Sequence, residues 1–144
     1  MDERGDIKIH VRFKLSALWA SLMFCYIYND YFQLYQPGQL SGMLHGMMGS
    51  MTVRPALLLI FALVLAIPAA MIFLSIALQQ TVARWLNIVF AVIYSIIDIL
   101  TMFGSWSYYI FFNAVETVFT ILILWYAIRW SAGVRGAAAK LPTP

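Results

Sequence analysis

Three acidic residues lie inside long apolar stretches of the 144-residue chain: Asp30, Asp98 and Glu116. All the other acidic residues precede residue 7. A charged carboxylate in hydrocarbon costs at least about 2.5 kcal/mol, so such residues usually face the interior of a helix bundle or a wet cavity. No Lys or Arg lies at the same level of these stretches, so the acids are expected to be protonated or to hold a cation. These residues therefore predict chemistry that involves protons or positive charge.

Polar residues accompany the acids at helical spacing. Tyr26 and Tyr94 each lie four residues before an acid, and Asn113 lies three residues before Glu116. This spacing places side chains on one helix face. One or two of the acids could instead be protonated hydrogen-bonding groups between helices, or could reach the interface by tilting. The predicted ligand-binding or proton-binding residues are Asp30, Asp98, Glu116, Tyr26, Asn29, Tyr94 and Asn113.

The apolar stretches that carry the acids are long enough to cross a membrane. Hydrophobic residues make up 63% of the chain and charged residues 10%, whereas charged residues make up roughly a quarter of a soluble domain. A span needs about 20 apolar residues. The sequence therefore predicts an all-α four-transmembrane-helix bundle over residues 13–130, with helices at about 13–35, 56–78, 82–103 and 107–130. The remaining segments are a cytoplasmic N-terminal tail (1–12), an outer loop (36–55) and a flexible cytoplasmic tail (131–144).

Basic residues indicate the orientation of the bundle. With both termini on one side of the membrane, Arg54 is the only one of the nine Lys and Arg residues that falls on the other side. The positive-inside rule then places both termini in the cytoplasm and the 36–55 loop outside. The three acids fall in the outer half of the membrane, roughly 7 to 14 Å below its outer boundary at 1.5 Å rise per residue.

Pro68 lies in the middle of the second predicted span. Proline has no backbone N–H, so it leaves the carbonyl of Val64 without its helical donor and predicts a kink. Membrane helices tolerate proline when neighbouring groups supply the missing hydrogen bond. A packing kink is the favoured interpretation, and a gating hinge is the alternative.

The outer loop is rich in methionine. Met43 and Met47 lie around His45, a set of soft ligands that would suit copper(I). The favoured alternative is a short amphipathic helix on the membrane surface, which could act as a lid above the acids. The side chains that such a helix would turn into the lipid are Leu40, Met43, Leu44, Met47 and Met48.

Four segments, taken together and in order, resemble a family of small bacterial four-helix membrane proteins known only as a domain of unknown function: FKLSALWASLMFCYIYNDYF, IPAAMIFLS, RWLNI and ETVFTILILWYAIRW. The resemblance covers about residues 12 to 130 and implies a multi-pass protein of the bacterial inner membrane. Members of that family often carry an acid just before the Ile-Pro of the second helix, where this chain has Ala66. A looser likeness to four-helix DoxX-like proteins is one of topology, which does not supply a function.

Three functions fit these observations. The favoured one is that the protein binds or carries a cationic or polar small molecule, in one version with coupling to protons. A homodimer is expected because one protomer is small for a transport path. The alternatives are a structural or accessory membrane subunit and a membrane-embedded acid/base enzyme acting on an apolar substrate. An enzyme is disfavoured because the sequence lacks Ser-His or Cys pairs, and Cys25 is the only cysteine. No cofactor is expected, and the partners are the lipid bilayer and a small-molecule ligand. The scattered basic residues argue against nucleic acid.

Overall fold

The computed structural model describes residues 9–102 and 106–138, with side chains up to residue 130. The described chain is mostly helical. Its four long helices are α1 (Val11–Gln33), α3 (Pro55–Ala77), α4 (Gln80–Met102) and α5 (Ser107–Ala138). Between α1 and α3 lie a short helix, α2 (Gln39–Leu44), and a small antiparallel hairpin of β1 (Met47–Met48) and β2 (Met51–Thr52).

The helix ends follow local sequence signals. The imidazole of His10 accepts a hydrogen bond of 3.3 Å from the backbone N–H of Arg12 and so caps α1. Pro55 occupies the first turn of α3, where its missing N–H costs nothing. α5 continues to Ala138, so residues 131–138, predicted as a flexible tail, are helical. Phe103, the predicted end of the third span, and the chain ends at 1–8 and 139–144 lie outside the described residues.

The long helices run alternately up and down around a closed ring in which α1 packs on α3, α3 on α4, α4 on α5 and α5 on α1. The start of α1 meets the end of α3, where Ser16 Oγ donates to the carbonyl of Ile72 at 2.7 Å. The start of α4 meets the end of α5, where Arg84 Nε donates to the carbonyl of Ala127 at 3.1 Å. The first residues of α1 and the last residues of α5 therefore lie at the same end of the bundle.

The surface is apolar and the interior is partly polar, which is the reverse of a soluble domain. Many large apolar side chains are exposed, while several polar residues, among them Asn87 and Thr120, are fully buried. Within the described residues, three helices are long and apolar enough to cross a membrane: Pro55–Ala77, Gln80–Met102 and Ser107–Trp130. α1 has the same 23-residue length as α3, but its tyrosines, asparagine and acid make it less apolar. The expectation of a mostly helical protein is thus confirmed, and three of its helices could span a membrane.

One half of the bundle is closed by packed side chains. Trp19 is fully buried and its Nε1–H donates to Asn87 Oδ1 at 2.7 Å, which also accepts from Ser75 Oγ at 3.2 Å. Leu15, Leu22 and Met71 are buried in the same core cluster. This layer fills the bundle at the end where α1 begins and α5 ends.

The loop between α1 and α3 differs from the predicted amphipathic helix. α2 ends at Leu44, and Met47 and Met48 belong to the hairpin instead. The strands are joined by a two-residue turn at Gly49 and Ser50, and Gly49 adopts a φ of +58°. This left-handed conformation suits glycine and the right-handed twist of the strands. The loop therefore folds back on itself instead of continuing as a helix along the membrane surface.

Candidate functional site

A cavity of about 860 Å³ occupies the half of the bundle opposite the Trp19 layer. All four long helices and the loop that precedes α3 contribute to its wall. Every residue predicted as a ligand-binding or proton-binding group lines this cavity: Tyr26, Asn29, Asp30, Tyr94, Asp98, Asn113 and Glu116. Its volume lies within the range of small-molecule pockets.

Asp98 is held by a hydrogen bond across the bundle. Its side chain is 1% exposed. Oδ1 accepts a hydrogen bond of 2.9 Å from the hydroxyl of Tyr26, which is on α1, the helix diagonally opposite α4. Oδ2 is buried and has no hydrogen-bond partner among the residues that the structure describes. One carboxyl oxygen is thus fixed by the protein, and the other is left without a donor from the described residues.

Glu116 and Asn29 form a second polar pair in the cavity wall. Glu116 is 1% exposed and Asn29 is 5% exposed. The side-chain amide of Asn29 lies beside the Glu116 carboxyl. Glu116 Oε1 and Asn29 Oδ1 are both buried and have no hydrogen-bond partner in the described part of the chain. This pair therefore presents further unused acceptor atoms.

Asp30 differs from the other two acids. It lines the cavity but is exposed, whereas the sequence predicted a group facing the interior. The reason is the rotation of α1 about its own axis. Neighbouring residues on a helix point about 100° apart, so when Asn29 faces the interior of the bundle, Asp30 faces sideways, toward the edge of the helix. Asp30 is thus less shielded from the surroundings than Asp98 and Glu116.

The polar groups beside the acids are occupied by the protein itself. Asn113 Oδ1 accepts from Thr101 Oγ1 at 3.0 Å, and Asn113 Nδ2 donates to the carbonyl of Tyr109 at 2.9 Å. The hydroxyl of Tyr94 donates to the carbonyl of Val64, the group that Pro68 leaves without a helical donor. Tyr94 therefore joins the wall of the cavity to the proline of α3.

The cavity contains no positive counter-charge. Among the described residues, no Lys, Arg or His lines it. Basic side chains instead stack on aromatic rings at the opposite end of the bundle, as in Arg12 on Trp130 and Arg129 on Trp125, the latter at 4.3 Å from the ring centroid. The two ends of the molecule therefore differ strongly in electrostatic character.

The loop contributes apolar and sulfur groups to the cavity through Met43 and the hairpin residues 48–51. The other two residues considered as metal ligands, His45 and Met47, do not line the cavity. Nδ1 of His45 lies 2.8 Å from the carbonyl of Ser41, and the sulfur of Met47 lies 3.8 Å from Thr52 Oγ1. In the described part of the chain, no group of three or more His, Cys, Asp or Glu could hold a metal ion.

Sequence reasoning missed two features of the site. The hairpin over the cavity has a recognisable signal, a Gly-Ser pair between short apolar runs, which is typical of a two-residue β-turn. Tyr109 also lines the cavity, but in the sequence it is one of several interfacial aromatic residues and carries no distinguishing signal.

Comparison with known proteins identifies one family. The model of a "Family of unknown function (DUF6326)" matches residues 7–136, which is most of the chain. No curated protein and no solved structure matches it.

Proposed function

The chain belongs to this family of unknown function, and we propose that it is a membrane protein whose cavity binds a cationic small molecule. Asp98 and Glu116 supply the negative charge, and Tyr26 and Asn29 orient their carboxyl groups. Tyr94 and Asn113 support the wall, and Asp30 stands beside the cavity as an additional acid.

One observation carries this proposal: two carboxyl groups, each 1% exposed, keep an unpartnered oxygen at a cavity that no basic residue lines. Two buried carboxylates without a counter-ion would be costly, both in desolvation and in mutual repulsion. A bound cation offsets both costs. Protons can neutralise the same groups when the ligand is absent, and exchange of ligand for protons would couple carriage of the ligand to proton movement.

For the setting of the cavity, we propose four membrane spans with both termini in the cytoplasm, so that α1 crosses the bilayer with its polar face covered by the bundle. The support is the distribution of charge. In the described part of the chain, basic side chains stack on aromatic rings at the end of the bundle where α1 and α4 begin. This is the pattern expected of a cytoplasmic interface. The cavity then opens toward the outer side of the inner membrane. Carriage across the membrane would use a homodimer, and a DoxX-like topology agrees with this arrangement of helices.

Equilibrium binding to the purified full-length protein in lipid nanodiscs tests the function. Three organic cations of different shape serve as probes: 2-phenylethylammonium, spermidine and tetraphenylphosphonium. We expect at least one of them to bind. The substitutions Asp98→Asn and Glu116→Gln should each weaken that binding more than tenfold, because each removes a buried charge that has no other partner.

Two further substitutions make the result specific. Asp30→Asn should weaken binding less than threefold, because an exposed charge contributes little. Asp6→Asn is the same chemical change outside the predicted spans and should leave affinity unchanged. Binding of none of the probes, or equal affinity in Asp98→Asn, Glu116→Gln and the wild type, would show that the acids serve only assembly or stability.

A further inference from the structure

Three fully buried side-chain atoms at the cavity have no hydrogen-bond partner among the described residues, and all three are acceptors. They are Asp98 Oδ2, Glu116 Oε1 and Asn29 Oδ1, on side chains that are 1%, 1% and 5% exposed. The three residues come from α4, α5 and α1, and all of them line the same cavity. A buried acceptor without a donor costs free energy, so such a set calls for a ligand that brings donors.

Three donors beside these acceptors are already engaged within the protein. The Tyr26 hydroxyl donates to Asp98, the Tyr94 hydroxyl donates to Val64, and the Asn113 amide donates to Tyr109. These donors are therefore not free to satisfy the three acceptors, and a ligand in the cavity can bring further donors.

The remaining wall suits an apolar or aromatic body. The rings of Tyr26 and Tyr94 lie tilted by 39° with their centroids 6.3 Å apart, and both line the cavity. Phe61 and Leu65 of α3 and Met43 of the loop add apolar surface. Aromatic faces also attract cations.

We propose, building on the proposed function, that the ligand of this cavity is an amphipathic cation whose charged group carries several N–H bonds, such as a primary ammonium or a guanidinium. Its N–H groups donate to the Asp98, Glu116 and Asn29 oxygens, and its apolar part lies against the tyrosine rings. A quaternary ammonium has the same charge but no N–H, so it leaves all three acceptors without donors.

A pair of probes of equal charge tests this inference. The affinities of 2-phenylethylammonium and its N,N,N-trimethyl derivative are measured by calorimetry on the full-length protein in nanodiscs. We expect the primary ammonium to bind at least tenfold more tightly, because charge-assisted hydrogen bonds are made only by that compound. Asn29→Leu removes one acceptor without changing charge, and it should weaken binding of the primary ammonium at least about fivefold more than binding of the trimethyl compound.

The outcomes separate the two proposals. Equal or tighter binding of the trimethyl compound overturns this inference and leaves charge as the basis of recognition, in keeping with the proposed function. An unchanged ratio in Asn29→Leu also overturns it. If neither compound binds, and spermidine and tetraphenylphosphonium do not bind either, the proposed function falls together with the inference.

Discussion

The hydroxyl of Tyr94 replaces a backbone hydrogen bond that Pro68 removes from α3. Proline cannot donate to the carbonyl of Val64, and the Tyr94 hydroxyl supplies that hydrogen bond from α4. Tyr94 is 3% exposed, so its partner carbonyl would have no ready access to another donor. The same residue lines the cavity, and the polar contact that stabilises α3 thus also shapes the candidate site.

This pairing predicts a coupling between two substitutions. Tyr94→Phe should lower the free energy of unfolding by about 1 to 2 kcal/mol, because it leaves the Val64 carbonyl buried without a donor. In a Pro68→Ala background the helix regains its own N–H donor, and Tyr94→Phe should then cost less than about 0.5 kcal/mol. Thermal and denaturant unfolding in detergent measure both values.

Tyr28→Phe is the matched control for that cycle. Tyr28 is 53% exposed on α1, so the loss of its hydroxyl should leave stability nearly unchanged. An equal cost of Tyr94→Phe in the presence and absence of Pro68 would contradict the pairing and assign the effect to packing alone.

The helices and the loop differ in how far their sequences determine them. Runs of about 20 apolar residues bounded by Pro55 and by polar residues predict long helices, and the structure has them within a few residues, except that α5 continues to Ala138. The loop combines glycine and methionine, which are compatible with several conformations. Its hairpin depends on a two-residue turn and on packing over the cavity, and hydropathy does not report either of these.

The turn at Gly49 provides a test of the loop. Gly49 has a φ of +58°, and a side chain placed there meets no atom within 4 Å, so any cost of Gly49→Ala comes from the backbone. A left-handed conformation costs a non-glycine residue about 1 to 2 kcal/mol. We expect the amide of Val53, which donates to the carbonyl of Gly46 at 2.8 Å, to exchange its hydrogen about fivefold faster or more in Gly49→Ala.

Gly42→Ala is the control in the same loop. Gly42 lies in α2 without a positive φ, and a side chain there would meet the Cβ of Met47 at 3.8 Å, an ordinary contact. Alanine favours a helix over glycine, so exchange at Val53 should stay unchanged or slow. Similar acceleration in both variants would show that the hairpin is not held by its turn.

At the scale of the whole molecule, the polar cavity depends on how the helices are rotated. The sequence predicts that the three acids lie at one level, since that follows from helix length and direction. It does not determine which side chains face one another. The hydrogen bond between Tyr26 and Asp98 joins diagonally opposite helices, and the exposure of Asp30 follows from the same rotation of α1. Both depend on packing among all four long helices.

The opposite ends of the bundle have different chemistry, and this asymmetry bears on the direction in which the cavity faces. The end where α1 begins and α5 ends holds arginine and lysine stacked on aromatic rings, for example Lys14 on Tyr126 at 5.3 Å from the ring centroid. The other end holds the cavity, the hairpin and tyrosines such as Tyr31 and Tyr35, whose hydroxyls lie 2.7 Å apart. Such a distribution suits insertion with the basic end in the cytoplasm.

Cysteine labelling tests this orientation and whether α1 crosses the membrane. After Cys25→Ala removes the native thiol, single substitutions are made at exposed positions: Ile9→Cys, Ser50→Cys, Gln79→Cys and Ser107→Cys. In intact spheroplasts a membrane-impermeant maleimide should label Ser50→Cys and Ser107→Cys. It should reach Ile9→Cys and Gln79→Cys only after permeabilisation, because those positions lie at the basic end.

Labelling at Ile9, just before α1, distinguishes four membrane spans from an arrangement in which α1 does not cross the membrane. α1 is less apolar than α3, α4 and α5, and its crossing relies on the bundle covering Asn29 and on Asp30 lying at the cavity. If Ile9→Cys and Ser50→Cys were labelled on the same side, α1 would enter and leave by one face, and the cavity would lack a complete membrane-embedded wall. For four spans, we expect Ile9→Cys and Ser50→Cys to be labelled on opposite sides, with Gln79→Cys protected together with Ile9→Cys. That result would place the acids of α1, α4 and α5 in one membrane-embedded site open to the outside.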